Sequence, residues 1–531
     1  MWQLTGHAAV VHRVRVGGVV KYGMPTTGQS HGLRWLLITT GATQTFIFES
    51  NKRKLNVGAS RLVSRLPEWV HDAIAHNAST HPETAAHVAV VVNISAAANI
   101  LVPDLETGQR LIRAVTRHAL LQAPGLQVWG SVSNPVVNGN FAAALTAAHR
   151  SHEQVRMGLP AATARFPGLP FTARCALTGL PAARAIRDGD GDVTVSEAAY
   201  RKWRESWPAL AAIGTDERHL HADELAQAIV PASRLDTDLG EWTAIVHSDG
   251  NGVGQLLMGL AQVSSRSTYV SDLREFSEAL STVAVGALHT AIIDTGRHYS
   301  AQRPWILPLV VGGDDLTAVV DARYVRYFTT AYLRAFRDAT SAEPVLNLTA
   351  QDVLGFDHLT ASAGIAIVKP THPFFRAYAL AEELCRSAKI VKTVAPQECS
   401  VDIQVFHESV GRRLDDVRVA LRAVDGDLYP GPMVIDSAQT TLTRAEDFDY
   451  TVQLLAAGVF SASERHRLRT VLTDLPQVAQ PDALWRNACV ETLSWVRVTR
   501  PDEYDRVETF MRRTQRAHLV SAMDLVDVEA V

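Results

Sequence analysis

The sequence predicts an α+β fold built on antiparallel sheet, and three stretches carry that prediction. In the first, Gly312-Gly313-Asp314-Asp315 lies between the apolar, β-branched runs Ile306 to Val311 and Leu316 to Val320. Such runs form buried strands, and a glycine pair between them forms a tight hairpin turn. In the second, the residues from Trp242 to Asp249 form a strand that passes through the Gly-rich turn Gly250-Asn251-Gly252-Val253-Gly254 into a helix from Gln255 to Val263. The third runs as a strand from Thr360 to Val368 and is closed by Lys369-Pro370. A helix opening at His372 follows, with Phe374, Tyr378, Ala381, Cys385 and Ala388 on one apolar stripe.

Chemistry enters through the acidic residues. Asp314 and Asp315 adjoin at a hairpin tip, where like charge and burial both disfavour ionisation. A divalent cation relieves both; the alternative is a solvated Asp-Asp turn. Asp249 stands at a strand end, before backbone thin enough for a phosphate to approach. It precedes Asp314 by 65 positions, a separation that suits a strand lying beside a later hairpin in one antiparallel sheet. Lysine is scarce, with seven against 44 arginines, and Lys369, Lys389 and Lys392 fall in or beside the third stretch. A compact ammonium at the end of that helix suits either a phosphate or the helix dipole.

In their order, Asp-Gly-Asn-Gly-x-Gly (249–254), Gly-Gly-Asp-Asp (312–315), Ser-Ala-Gly-Ile-Ala-Ile-x-Lys-Pro (362–370) and Leu-Cys-Arg-Ser-Ala-Lys (384–389) resemble the second palm domain of the CRISPR polymerase/cyclase family. Its members are the large subunits of type III CRISPR effector complexes, with some stand-alone relatives. Gly41-x-x-Gln44-x-Phe46-Ile47-Phe48-x-Ser50, with Arg53-Lys54-Leu55 and Gly58-Ala59-Ser60-Arg61-Leu62, is similar to the opening of that family's first palm. Cys175-Ala176-Leu177-Thr178-Gly179-Leu180-Pro181-Ala182 is similar to its treble-clef-like insert, and Ser400-Val401-Asp402-Ile403 to the segment leaving the second palm.

The resemblance implies two ferredoxin-like palm domains with antiparallel sheets, a small insert between them and a helical C-terminal domain. The expected division is 1–165 for a non-catalytic first palm, 166–240 for linker and insert, 241–405 for the catalytic second palm and 406–531 for the helical domain. Ala89 to Ile94 and Leu126 to Val132 are further strands of the first palm, whose Asn93-Ile94-Ser95-Ala96 region lacks an acidic pair. Asn251 stands where the family often has a second Asp, and is expected to supply hydrogen bonds rather than charge. Thr178 stands where the insert typically has a cysteine. With four scattered cysteines and no Cys-x-x-Cys, no structural zinc is expected. About 32 residues precede the first palm signature, too few for the HD nuclease domain with which many members begin. His71-Asp72 with His76 is taken as a solvated helix or loop. Asp188 to Glu197 imitates a calcium loop, but its sixth position is Val193 and its twelfth Ala199.

Composition narrows the classes. A net charge of −4 and a pI near 6.6 argue against a globally basic nucleic-acid surface. Asn51-Lys52-Arg53-Lys54 is a short basic cluster, expected on a solvated helix face. No uninterrupted apolar run approaches 18 residues, the N-terminus does not resemble a signal peptide, and few cysteines suit a reducing cytoplasm, so no membrane association is expected.

The expected chemistry is nucleotidyl transfer. Asp249, Asp314 and Asp315 hold two Mg²⁺ or Mn²⁺ ions on the order of 4 Å apart. Gly250, Asn251, Gly252, Gly254, Gly312 and Gly313 form the nucleotide cradle, Lys389 neutralises the triphosphate, and the resemblance places Ser362 at the base. Strand alternation lets both Asp314 and Asp315 reach metal only if the turn splays the backbone. The family implies ATP as substrate and cyclic oligoadenylate as product, an antiviral second messenger. It also implies effector subunits and, through them, guide RNA as partners; homo-oligomerisation stays open. The alternatives are a stand-alone cyclase making cyclic dinucleotides and a non-catalytic palm scaffold. A GGDEF-like diguanylate cyclase is disfavoured by Asp315 at the motif's fourth position.

Overall fold

The computed structural model describes residues 32–94, 96–160, 168–188, 191–213, 221–231, 239–407, 413–423, 426–438, 442–474, 481–513 and 516–529. Backbone contacts group the chain into two compact units. One holds the described residues before 232 with Gly252–Thr317 and Ala335–Leu359, and the other the residues 239–251, Ala318–Arg334 and the described residues from Thr360 onward.

The first sheet comprises β1 (Arg34–Gly41), β2 (Ala89–Ile94), β3 (Ala97–Val102) and β4 (Gln127–Pro135), in the order β2-β3-β1-β4. Every neighbouring pair is antiparallel. Strand order 4-1-3-2 is that of the ferredoxin-like βαββαβ fold. The expected strands at Ala89 to Ile94 and Leu126 to Val132 are β2 and most of β4, while β1 and β3 supply the centre. His71, Asp72 and His76 lie on the helix Leu66–Thr80, half-buried or exposed. Asn51 and Lys52 are exposed, while Arg53 and Lys54 open the helix α1 (Arg53–Ser64) half-buried. Ser95 and residues 161–167, which span the expected boundary after residue 165, lie outside the described residues.

The insert packs its helix tightly on the same unit. A hairpin of β5 (Arg184–Asp188) and β6 (Gly191–Val195) spans the imitated calcium loop, pairing Asp188 with Gly191. Helix α2 (Glu197–Ile213) follows. It approaches α1 so closely that a Cβ on Gly58 would lie 1.7 Å from the Lys202 carbonyl oxygen. The Lys202 ammonium is buried, donates to the Phe46 carbonyl and to Glu49 at 2.5 Å each, and sits 3.9 Å from the Phe46 ring centroid. Cys175 lies in a small core with Leu55, Ile186, Val195 and Ala199.

The second sheet repeats the first. It contains β7 (Thr243–Gly250), β8 (Ile306–Gly312), β9 (Asp315–Asp321), β10 (Ala361–Val368), β11 (Ser400–Val405) and, after the small hairpin of β12 (Arg422–Ala423) and β13 (Gly426–Asp427), β14 (Met433–Val434). Its order is β14-β11-β10-β7-β9-β8. The run β10-β7-β9-β8 thus reproduces 4-1-3-2, a duplication that residue identity does not reveal. β11 adds beside β10 in parallel, the one departure from antiparallel pairing among the registers described for this sheet.

Helix α3 (Val253–Val263) follows β7. The 30-residue helix Tyr269–His298 comes next, long and apolar enough by length and composition to cross a membrane, with half of its most apolar window buried in the protein. Helix α4 (Phe374–Ala388) buries all five residues of the expected stripe. It lies on the face of β7 and β10 that carries His247 and Gly364, and His247 meets Tyr378 edge-on at 5.5 Å. Gly364 makes that approach possible: a Cβ there would stand 2.1 Å from the Ala381 carbonyl oxygen and 2.2 Å from the Cys385 amide nitrogen. Both are backbone atoms of a packed helix, so Gly364→Ala must push α4 off the sheet. Overpacking of this kind costs about 1–3 kcal/mol, and thermal unfolding of the purified variant should show a clearly lowered Tm.

Beyond β11 the chain is largely helical. The expected helical domain begins with α5 (Leu414–Ala420), which is followed by the short strand β12, and residues 408–412 lie outside the described residues. The helices Ala445–Ala456, Ala462–Asp474, Pro481–Thr499 and Tyr504–Arg513 and helix α6 (Arg516–Glu529) follow, with Phe460 edge-on to Phe510 at 5.3 Å in their core.

Candidate active site

The residues around Asp249 are held by a hydrogen-bonded clamp. Asp249 is the penultimate residue of β7 and stands opposite Ser362 on β10. Just past the strand, the Asn251 amide nitrogen donates to the Thr360 carbonyl at 2.8 Å. Its side chain donates to Thr360 Oγ1 at 3.1 Å and accepts from the Ser362 hydroxyl at 3.0 Å. Ser400 Oγ lies 2.8 Å from Ser362 Oγ and 2.9 Å from the Ala388 carbonyl oxygen, its single hydrogen serving one of these contacts. That carbonyl ends α4, and the next residue is Lys389. One polar relay therefore ties the end of β7, the start of β10 and the last turn of α4. Lys389 Nζ donates to Asp249 Oδ2, with both side chains half-buried.

Asn251 thus supplies hydrogen bonds, all directed into the protein. Ser362 is fully buried and its hydroxyl faces Asn251 and Ser400. Lys392 lies exposed in the 3₁₀ turn Lys389–Thr393.

The glycines shape the backbone around this clamp. Gly250 is the last residue of β7, and Gly252 caps α3 at φ +78°, a left-handed conformation that glycine adopts freely. No side chain caps α3 and no acidic residue occupies its first turn, so its first amides are left for an anion. A Cβ at Gly254 would meet nothing within 4 Å.

In the acidic hairpin β8 ends at Gly312 and β9 begins at Asp315, so the turn residues are Gly313 and Asp314. Gly313 has φ +61° and Asp314 does not have a positive φ, the pattern of a II′ turn with glycine at its first central position. Asp314 is therefore a turn residue, released from the alternation that would point it away from Asp315. Asp249, Asp314 and Asp315 each offer a carboxylate oxygen, and these oxygens lie within 4.8 Å of one another. Asp315 is exposed and the other two are half-buried.

Among the described residues the first sheet carries no such acidic cluster. The position matching Asp249, penultimate in β1, is Thr40, and the equivalent hairpin tip between Ile94 and Ala97 carries no acid.

Residues 242–393 match the family model of Cas10/Cmr2, second palm domain. This segment is a Cas10/Cmr2 second palm. Its matched span starts just ahead of β7 and ends just after Lys389, enclosing Asp249, the Gly-Gly-Asp-Asp hairpin, Ser362 and Lys389. Two solved structures resemble nearly the whole chain. One is the Csm1-Csm4 cassette in complex with cA4, at 12% identity over 96% of this chain and 72% of that chain, with a TM-score of 0.50. The other is the same cassette in complex with pppApApA, at 13% identity over 97% and 71%, also with a TM-score of 0.50. At such identity the likeness is one of fold. No curated protein matches the chain.

Proposed function

We propose that this chain is a metal-dependent nucleotidyltransferase that joins and cyclises ATP into cyclic oligoadenylate, as a palm subunit of a type III CRISPR effector. One observation carries the reading: a Cas10/Cmr2 second palm with three carboxylates clustered beside a lysine. Three hard oxygen donors suit Mg²⁺ or Mn²⁺. Such ions, held by Asp249, Asp314 and Asp315, would make a ribose hydroxyl more acidic and offset charge on the α-phosphate and the departing pyrophosphate.

The protein's own residues do the positioning. The uncapped amides of α3, reached through Gly250, Gly252 and Gly254, cradle the triphosphate. Lys389 neutralises a phosphate oxygen once the metal competes for Asp249. Asn251 and Ser362 act from behind by fixing Asp249 and Lys389 against each other. Gly312 and Gly313 keep the hairpin tip thin enough for the nucleotide to reach Asp314 and Asp315. Substrate choice follows from the adenylate ligands of the similar cassettes, cA4 and pppApApA. Effector subunits, and guide RNA through them, are the partners this reading assigns.

The test is incubation of the full chain with each nucleoside triphosphate plus Mg²⁺ or Mn²⁺, with products identified by mass spectrometry. Pyrophosphate and oligoadenylate from ATP alone are expected. Cyclic dinucleotides made without RNA would replace this reading with a stand-alone cyclase. Bound nucleotide without product, even with RNA and effector subunits present, would replace it with a scaffold.

A further inference from the structure

A cavity of about 240 Å³ opens at the end of α4 away from Lys389, among α4, β11, α5 and α6. It shares no residue with the acidic cluster. Its wall is apolar at Leu380, Phe406 and Val520, and polar at His372, Arg376 and Gln404.

Two of those polar groups are buried without a partner. Gln404 is 4% exposed; its Nε2 donates to the Val405 carbonyl at 3.3 Å, which fixes the amide's orientation and leaves Oε1 with no donor. His372 Nε2 is likewise unpartnered. Burial, and then the neighbouring Arg376 guanidinium, hold the His372 pKa below its ordinary value, so the ring is neutral at pH 7. An orphaned buried acceptor costs about 1–3 kcal/mol, and a ligand N–H or O–H recovers it.

Both carboxylates of the wall have basic partners. Glu383 accepts from the Leu414 amide at 2.8 Å and lies 3.6 Å from Arg413. Asp524 lies 3.4 Å from His407 and 3.3 Å from Arg469, which also meets Asp527 at 2.8 Å. Arg376 has no carboxylate partner among the described residues; its guanidinium carbon sits 5.2 Å from the Phe375 ring. Arg376 thus offers a guanidinium at the mouth, above an apolar floor holding an acceptor and aromatic rings.

We propose that this cavity is a second ligand site, for a small planar heterocycle that carries an N–H donor and a single phosphate. The heterocycle lies against Phe406 and His372 with its amine on Gln404 Oε1, and the phosphate meets Arg376. The volume suits one nucleoside and leaves the anion at the rim, where Arg376 is exposed.

The probe is AMP, titrated calorimetrically into the full chain with EDTA present, so that the acidic cluster holds no metal. AMP is expected to bind, and adenosine about tenfold more weakly for want of the charge-assisted bond. Arg376→Ala should weaken AMP by a similar factor and leave adenosine unchanged. Gln404→Leu, at parental Tm, should weaken both. Arg376 is exposed, so its variant keeps the test alive should Gln404→Leu fail to fold. No binding at millimolar AMP would overturn the proposal. So would AMP affinity unchanged in Arg376→Ala, or AMP binding abolished by Asp249→Ala.

Discussion

Alanine at both Asp314 and Asp315 is expected to abolish product formation without destabilising the protein. Without metal, the three carboxylates bring oxygens within 4.8 Å of one another, and the Lys389 ammonium meets Asp249. Two like charges at about 4 Å repel by about 1 kcal/mol even in water. Asp315 is exposed and Asp314 half-buried, so removing both discards repulsion and little packing. The variant's Tm in EDTA should therefore equal or slightly exceed the parent's. Mg²⁺ should reverse the comparison, because an ion that binds only the folded state raises Tm, and only the parent keeps its ligands. Loss of the metal's contribution to the transition state is expected to lower the rate by at least about a thousandfold. Pyrophosphate release and paired melting curves with and without Mg²⁺ test this. A variant that still makes product, or that gains the parent's full Mg²⁺-dependent shift, would remove these two residues from the chemistry.

Much of this site is legible in the sequence because it is local. A glycine pair between two apolar runs specifies a hairpin, and a strand entering a Gly-rich turn specifies the exposed start of α3. The stripe on α4 follows from spacing alone. What spacing conceals is how distant pieces meet. Gly364 looks like any strand glycine until α4 lies on it, and that approach brings Lys389 onto Asp249. Asn251, Ser362 and Ser400 come from three segments, and their shared relay exists only once β7, β10 and β11 are side by side. The distinct places of Asp314 and Asp315 depend on which glycine takes the positive φ, and here it is Gly313. Lys202 was accessible in principle, as one of only seven lysines in an arginine-rich chain. Its burial depends on α1 and α2, whose contact no local pattern announces. The palm duplication is recorded in strand order, which is unchanged where residue identity has drifted.

The largest effect on stability is expected from Arg418→Ala. Asp402 is completely buried in β11, and Arg418 from α5 grips both its carboxylate oxygens at 2.7 Å. The same guanidinium donates to Ser387 at 2.8 Å and lies 4.5 Å from the Tyr429 ring centroid. Burial pushes the Asp402 pKa above its ordinary value of 3.8, and Arg418 pulls part of that rise back. Removing the guanidinium leaves an uncompensated buried charge, a change that typically costs about 3–5 kcal/mol. The pH dependence follows from proton linkage. With Asp402 raised further in the variant, the folded state holds a proton that the unfolded state has released, so stability falls as pH rises. The extra cost relative to the parent is absent below the ordinary carboxylate pKa. It grows between that value and the raised folded pKa, and is complete above it. Denaturant melts of parent and variant from pH 4 to pH 8 should therefore diverge with increasing pH. The double variant Asp402→Leu/Arg418→Met should recover most of the loss, because an apolar pair of similar volume leaves no charge to desolvate. A constant difference across that range, or a double variant no better than Arg418→Ala, would place the cost in the stacking on Tyr429 and the bond to Ser387 instead.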